Sequence, residues 1–167
     1  MTGPQGERGR LIKLRQEIRA DLDAFSGHVE AVRSALGRGA LAEDDPMLAV
    51  IAVALHHAYG AVESALERIA RAFEGKPEPT ERWHQELLDQ MSLDLPGVRP
   101  LVIRPETRRS LALILAFRHF FRHAYAVPLD PVRIAQTGQA LLSSAPLVTT
   151  DLGVFADRLT EVAEQLS

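Results

Sequence analysis

The chain has 167 residues, 46% hydrophobic and 25% charged, with no cysteine and a formal net charge of −3. That length suits one domain with a full core, and the apolar fraction excludes a disordered chain. Without Cys there is no disulfide framework, zinc ribbon or thiol nucleophile, and the cytoplasm is the expected compartment; the slight acidity argues against broad, nonspecific duplex binding, which runs on surplus Lys and Arg.

Met1 to Gly9 is Gly-rich and polar, with no apolar core of the signal-peptide kind. Residues 1–10 read as a flexible lead-in, and 11–167 as a single domain. Leu11, Leu14, Ile18, Leu22, Phe25, Val29, Val32 and Leu36 recur at spacings of three and four, one apolar stripe along a long amphipathic helix. Gly37 and Gly39 end it. Asp45-Pro46 then reads as an N-cap with proline in the first turn, opening a second long helix over about Met47–Phe73. The longest unbroken apolar run, Leu48–Leu55, is well short of the roughly 18 residues that suggest a membrane span, so no membrane association is expected.

A short helix is expected around Glu81–Met91, then a loop holding Pro96, Gly97 and Pro100. Pro105 to about Tyr125 is helical in pattern, and its middle, Leu111–Phe117, is apolar nearly all round. Asp130-Pro131 caps a further helix to about Ser144, and Thr150 or Asp151 begins the last. No run alternates at period two and no Asn-Gly or Asp-Gly turn occurs. The fold class expected is an all-α, antiparallel helical bundle with extra flanking helices.

The densest polar cluster comes directly after the buried run: Arg118, His119, Arg122, His123 and Tyr125. From Arg99 to His123 six Arg stand against Glu106 alone, a local balance of +5 in an acidic chain, which suits a phosphate-bearing partner. One or two of these groups are accounted for by the helix dipole; the whole set is not. A His exchanges a proton near neutral pH, and an Arg holds a phosphate through two parallel hydrogen bonds. Together they suffice for RNA cleavage by the neighbouring 2′-hydroxyl without a metal. On an ideal helix His123 lies roughly 140° round from Arg118, so either the helix end is distorted or a second copy completes the site. Tyr59 and Glu63, four apart, share a polar face and are candidates to support the site together with His119 and Arg122. Two metal readings are weaker: His119 with His123 at helical spacing, and Glu81-x-x-His84, which lacks its second motif. His56 and His57 read as core or interface residues and Trp83 as a packing anchor.

Arg118-x-x-x-x-His123-x-Tyr125 resembles the R-x4-H-x-Y motif of HepT-like toxins in the HEPN superfamily of helical ribonucleases. The segments Glu67–Gly75 and Trp83–Met91, with their Trp-His pair before a Leu-rich turn, are similar to a HepT-like branch, and the resemblance covers roughly residues 46–145. Many members carry Asn after the motif Arg where His119 stands here, which either adds a basic group or marks altered activity. The resemblance implies a HEPN-like bundle acting as a metal-independent endoribonuclease toxin, a hydrolase without cofactor. It implies a homodimer whose paired motifs meet at the interface. Arg118 would hold the phosphate and His123 would serve as acid/base. The antitoxin would be a minimal nucleotidyltransferase that moves AMP from ATP onto Tyr125 and so places a negative charge beside Arg118. The alternative is a non-catalytic HEPN-like module that binds nucleotides or a partner.

Overall fold

The computed structural model describes residues 3–75, 80–123 and 128–166, with His123 described by its backbone alone. Among these residues lie five helices: α1 (Pro4–Leu36), α2 (Met47–Phe73), α3 (Trp83–Met91), α4 (Pro105–His123) and α5 (Pro131–Gln165). The expected stripe of α1 is its buried face, from Leu14 through Ile18, Leu22, Phe25 and Val29 to Val32. The helix begins at Pro4, however, so residues 4–10 are helical rather than a flexible lead-in. Proline in the first turn has its φ already set, and this exposed stretch carries no apolar side chain by which periodicity could reveal it. Beyond α1 the chain turns at Gly39, whose φ of 118° is open to glycine at little cost.

Asp45 opens α2 as expected. Its Oδ1 accepts the Met47 N–H at 2.8 Å and its carbonyl accepts the Leu48 N–H at 3.0 Å. α2 is the central helix, packed against α1, α3, α4 and α5. By length and composition alone it is apolar enough to cross a membrane, yet half of that window is buried inside the bundle. Burial on several sides is what a helix apolar nearly all round requires.

α3 is short, and its end is tied to the loop leading into α4 through Met91, whose carbonyl accepts the N–H groups of Val102 and Ile103 at 2.9 and 3.2 Å. α4 receives its N-terminal cap from across the bundle. Asp151 of α5 accepts from the Arg104 backbone N–H at 2.9 Å, from Thr107 Oγ1 at 2.6 Å and from Arg104 Nε at 2.6 Å.

The end of the chain corrects the sequence reading. The two helices expected there are one, with Pro146 inside it. Asp130 does cap the start, accepting the Val132 N–H at 2.9 Å. Asp151, expected to begin a new helix, is instead spent on α4. A proline in a helix interior removes one hydrogen bond and usually breaks or kinks it. Here the buried positions Ile134, Gly138, Leu141, Ala145, Val148, Leu152, Phe155 and Leu159 keep a spacing of three and four straight through it. Packing of that unbroken stripe outweighs the local penalty. Gly138 lets α5 come close to α1, since a Cβ there would lie 2.9 Å from Leu36 Cδ1.

Candidate active site

His56, Tyr59 and Glu63 lie three and four apart on α2, on the face turned towards α4. The carboxylate of Glu63 is shared: Arg118 of α4 donates from Nη1 to Oε2 at 2.7 Å, and His84 of α3 is hydrogen-bonded through Nδ1 to Oε1. The guanidinium sits 5.3 Å from the centre of the Tyr59 ring. The Arg118 and His84 side chains are each 12% exposed and that of Glu63 9%, so three helices meet over one largely desolvated charge cluster. A carboxylate in such a place needs its partners, because an ionised group out of water is costly unless it is paired and hydrogen-bonded. Burial, then the negative charge of Glu63, push the Tyr59 phenol up against the opposing pull of Arg118, and it stays neutral. Arg118 Nε is buried without a hydrogen-bond partner, so one edge of the guanidinium is engaged and part of it is not.

Of the residues expected at the site, Tyr59, Glu63 and Arg118 are thus brought together, although the shared face of Tyr59 and Glu63 is an internal seam and not a solvated one. His119 is exposed, with its ring centroid 6.3 Å from that of His84 at 82°. Arg122 is exposed one turn further on. His123 is the last described residue of α4, and its side chain, like all of Tyr125, lies outside the described residues.

His84 was legible only as half of a metal motif, and its partner is Glu63 rather than Glu81. Among the described residues no group of three or more His, Asp or Glu side chains is placed to hold a metal ion. The sequence did carry a signal: His84, Leu87, Leu88 and Met91 lie on one helical stripe, and the three apolar members are buried. A His on the buried face of an amphipathic helix needs a polar partner inside. Trp83 packs against the core and lays its ring over His84, centroids 3.9 Å apart.

The +5 stretch does not form one basic surface. Arg99 pairs with Glu74, Arg104 with Asp151 and Glu106, Arg108 with Asp89, and Arg118 with Glu63. Arg109 and Arg122 stay on the exposed surface. Counting charges along the chain could not show that Asp151, Asp89 and Glu63, which answer three of these arginines, come from other helices.

A second group of rings borders the seam. His56 is half-buried with Nδ1 unpartnered, 6.1 Å from Phe121, and His57 is exposed and stacked on His28 at 5.4 Å. Burial holds the His56 imidazole below the usual His range, aided by the positive charges of Arg118, His57 and Arg122 and opposed by Glu63. Burial, and then His57, do the same to His28. A lowered His pKa means that the unfolded chain binds protons the folded chain refuses. Stability from these groups is therefore complete above about pH 6.5 and declines as pH falls from there through the lowered folded values. The melting temperature is expected to be lower near pH 5.5 than near pH 7.5, with His56→Gln narrowing the difference. An unchanged pH profile in that variant would remove His56 as a source.

A family model described as HepT-like protein matches residues 50–159. No curated protein and no solved structure matches the chain. The matched span begins in the first turn of α2 and ends near the close of α5. It contains Tyr59, Glu63, His84, Arg118 and His119, the residues that meet between α2, α3 and α4, and it leaves α1 outside. With that match and an all-helical bundle, this chain belongs to the HepT-like family of the HEPN superfamily.

Proposed function

We propose that this chain is the toxin of a toxin–antitoxin pair, a metal-independent endoribonuclease of the cytoplasm that works as a homodimer and is neutralised by AMP placed on Tyr125. The observation that carries the reading is the Arg118 guanidinium, held by Glu63 at the motif-bearing end of α4 with its Nε uncommitted. A phosphate brought there meets a fixed, planar donor set, and an Arg already oriented stabilises the growing charge of a phosphoryl transition state without reorganising. His123 accepts the proton of the RNA 2′-hydroxyl. The O2′–P bond then forms as the P–O5′ bond breaks, and the leaving 5′-oxygen takes a proton from the second copy's motif. The products are a 2′,3′-cyclic phosphate and a 5′-hydroxyl. Support for the second copy comes from Val50 and Val53, which leave an exposed apolar stripe on α2. The His56–Phe121 contact sets that part of α2 beside the end of α4.

AMP on Tyr125, delivered by a minimal nucleotidyltransferase from ATP, would add a phosphate charge two residues from His123 and compete with RNA for Arg118. The test is RNA cleavage in EDTA by wild type, His123→Ala and Arg118→Ala, after mass spectrometry has established that Tyr125 is unmodified. Wild-type cleavage reduced at least ~100-fold in both variants is expected. A folded, unmodified wild type that leaves RNA intact would overturn the nuclease reading. The alternative, a non-catalytic binding module, would then take its place; the engagement of four arginines by carboxylates is the feature that favours it.

A further inference from the structure

We propose that the groove between α3 and α4 is a nucleobase pocket, seating the base of the nucleotide whose phosphate lies on Arg118. It rests on the nuclease reading for the place of that phosphate, and on the groove itself for the base. The groove has a volume of about 340 Å³ and is walled by Arg82, His84 and Gln85 on one side and by Leu115, Ala116 and His119 on the other. That is the small end of the roughly 300–1,000 Å³ typical of small-molecule sites, and it suits a single nucleotide unit.

Its chemistry favours a flat heterocycle over a bare anion. Leu115, itself buried, offers an apolar floor, and the Ala116 methyl leaves the space above it open. The imidazoles of His84 and His119, centroids 6.3 Å apart and nearly perpendicular, make an aromatic corner. Glu81, Arg82 and Gln85 bring acceptors and donors to the rim, the mix a base edge requires. Sequence-reading of RNA works in this way, by splaying out an unstacked base and laying it on aromatic or guanidinium planes. The groove also adjoins Arg118, the group proposed to hold the phosphate. His84, one of its walls, and Arg118 hold opposite oxygens of the same Glu63 carboxylate, so the base and the phosphate of one nucleotide would be held on either side of it.

The single tryptophan of the chain, Trp83, lies on His84 and reports on the groove by its fluorescence. Full-length protein would be titrated with AMP, GMP, CMP and UMP, and in parallel with ribose 5-phosphate and inorganic phosphate. At least one mononucleotide is expected to bind about tenfold or more tighter than ribose 5-phosphate. Ala116→Leu, which fills the groove from an exposed helical position, is expected to abolish that advantage with the melting temperature unchanged, whereas Ala116→Ser, which leaves the space, is expected to keep it. Ribose 5-phosphate binding as tightly as the best mononucleotide would overturn the pocket, as would nucleotide binding indifferent to Ala116→Leu. RNA cleavage, measured separately, keeps the two ideas apart. Cleavage without base-dependent binding removes the pocket alone, and base-dependent binding without cleavage keeps the pocket and removes the nuclease.

Discussion

Glu63→Ala is expected to destabilise the protein by about 3–5 kcal/mol, the range seen when one member of a buried ion pair is removed and the other is left without its counter-charge. Two groups lose their partner at once: Arg118, whose Nη1 donates at 2.7 Å, and His84. Both side chains are 12% exposed, so little solvent is at hand to replace the carboxylate. In a chain of this size each kcal/mol moves the midpoint by roughly 2–4 °C, so the melting temperature should drop by about 6 °C or more. Urea unfolding gives the free energy directly. A double-mutant cycle with Arg118→Met separates the pair from the rest: the double variant should be less destabilised than the two single losses summed, because no charge is left stranded. Additive losses would mean that Arg118 and Glu63 do not depend on each other, and the site would lose its organising element.

Arg99→Lys should cost nearly as much, about 3 kcal/mol, although it keeps the charge. The Arg99 side chain has no exposed surface. It donates to Glu74 Oε1 at 2.5 Å from Nε, to the carbonyls of Leu93 (2.9 Å) and Pro100 (3.2 Å) from Nη1, and to that of Gln90 (2.9 Å) from Nη2. One planar fork thus ties the end of α2 to the end of α3 and to the turn after it. That turn is closed by the Leu95–Arg99 bridge, with Gly97 at φ 80°. An ammonium is a point charge whose three donors cannot span those four acceptors, and some of them would be left buried and unpaired. Calorimetry on Arg99→Lys beside Arg99→Ala checks this. A lysine variant as stable as wild type would show that charge alone holds the joint.

Arg99 also shows where reading along the chain stops. In sequence it is the first member of a basic run; in the fold it is an internal brace. Arg104 and Arg108 stay partly exposed, but they too are matched, by Asp151 of α5 and Asp89 of α3. Local patterning sees the charge of a residue and the face it occupies, and it does not see which distant carboxylate will stand opposite. His84 fell on the same gap. Its helical stripe was visible, but the acceptor that gives it a role lies 21 residues earlier on another helix.

What the sequence determined by itself was whatever depends on neighbours within a turn or two. The helices expected over Met47–Phe73, around Glu81–Met91 and from Pro105 arise from three-and-four spacing, from Asp45 as a cap and from proline in first turns, and they are found at Met47–Phe73, Trp83–Met91 and Pro105–His123. The adjacency of Tyr59 and Glu63, and the position of Arg118 at the end of a buried run, come from the same periodicity. Only the tertiary structure decided that α5 runs unbroken through Pro146, because the stripe of α5 is worth its burial only once α1 lies against it. Only the tertiary structure brought Glu63 of α2, His84 of α3 and Arg118 of α4 to one point. Helix formation is settled by hydrogen bonds and side-chain spacing inside one segment. A charge cluster shared by three segments exists only after packing has removed the water between them, and that is a property of the assembled core.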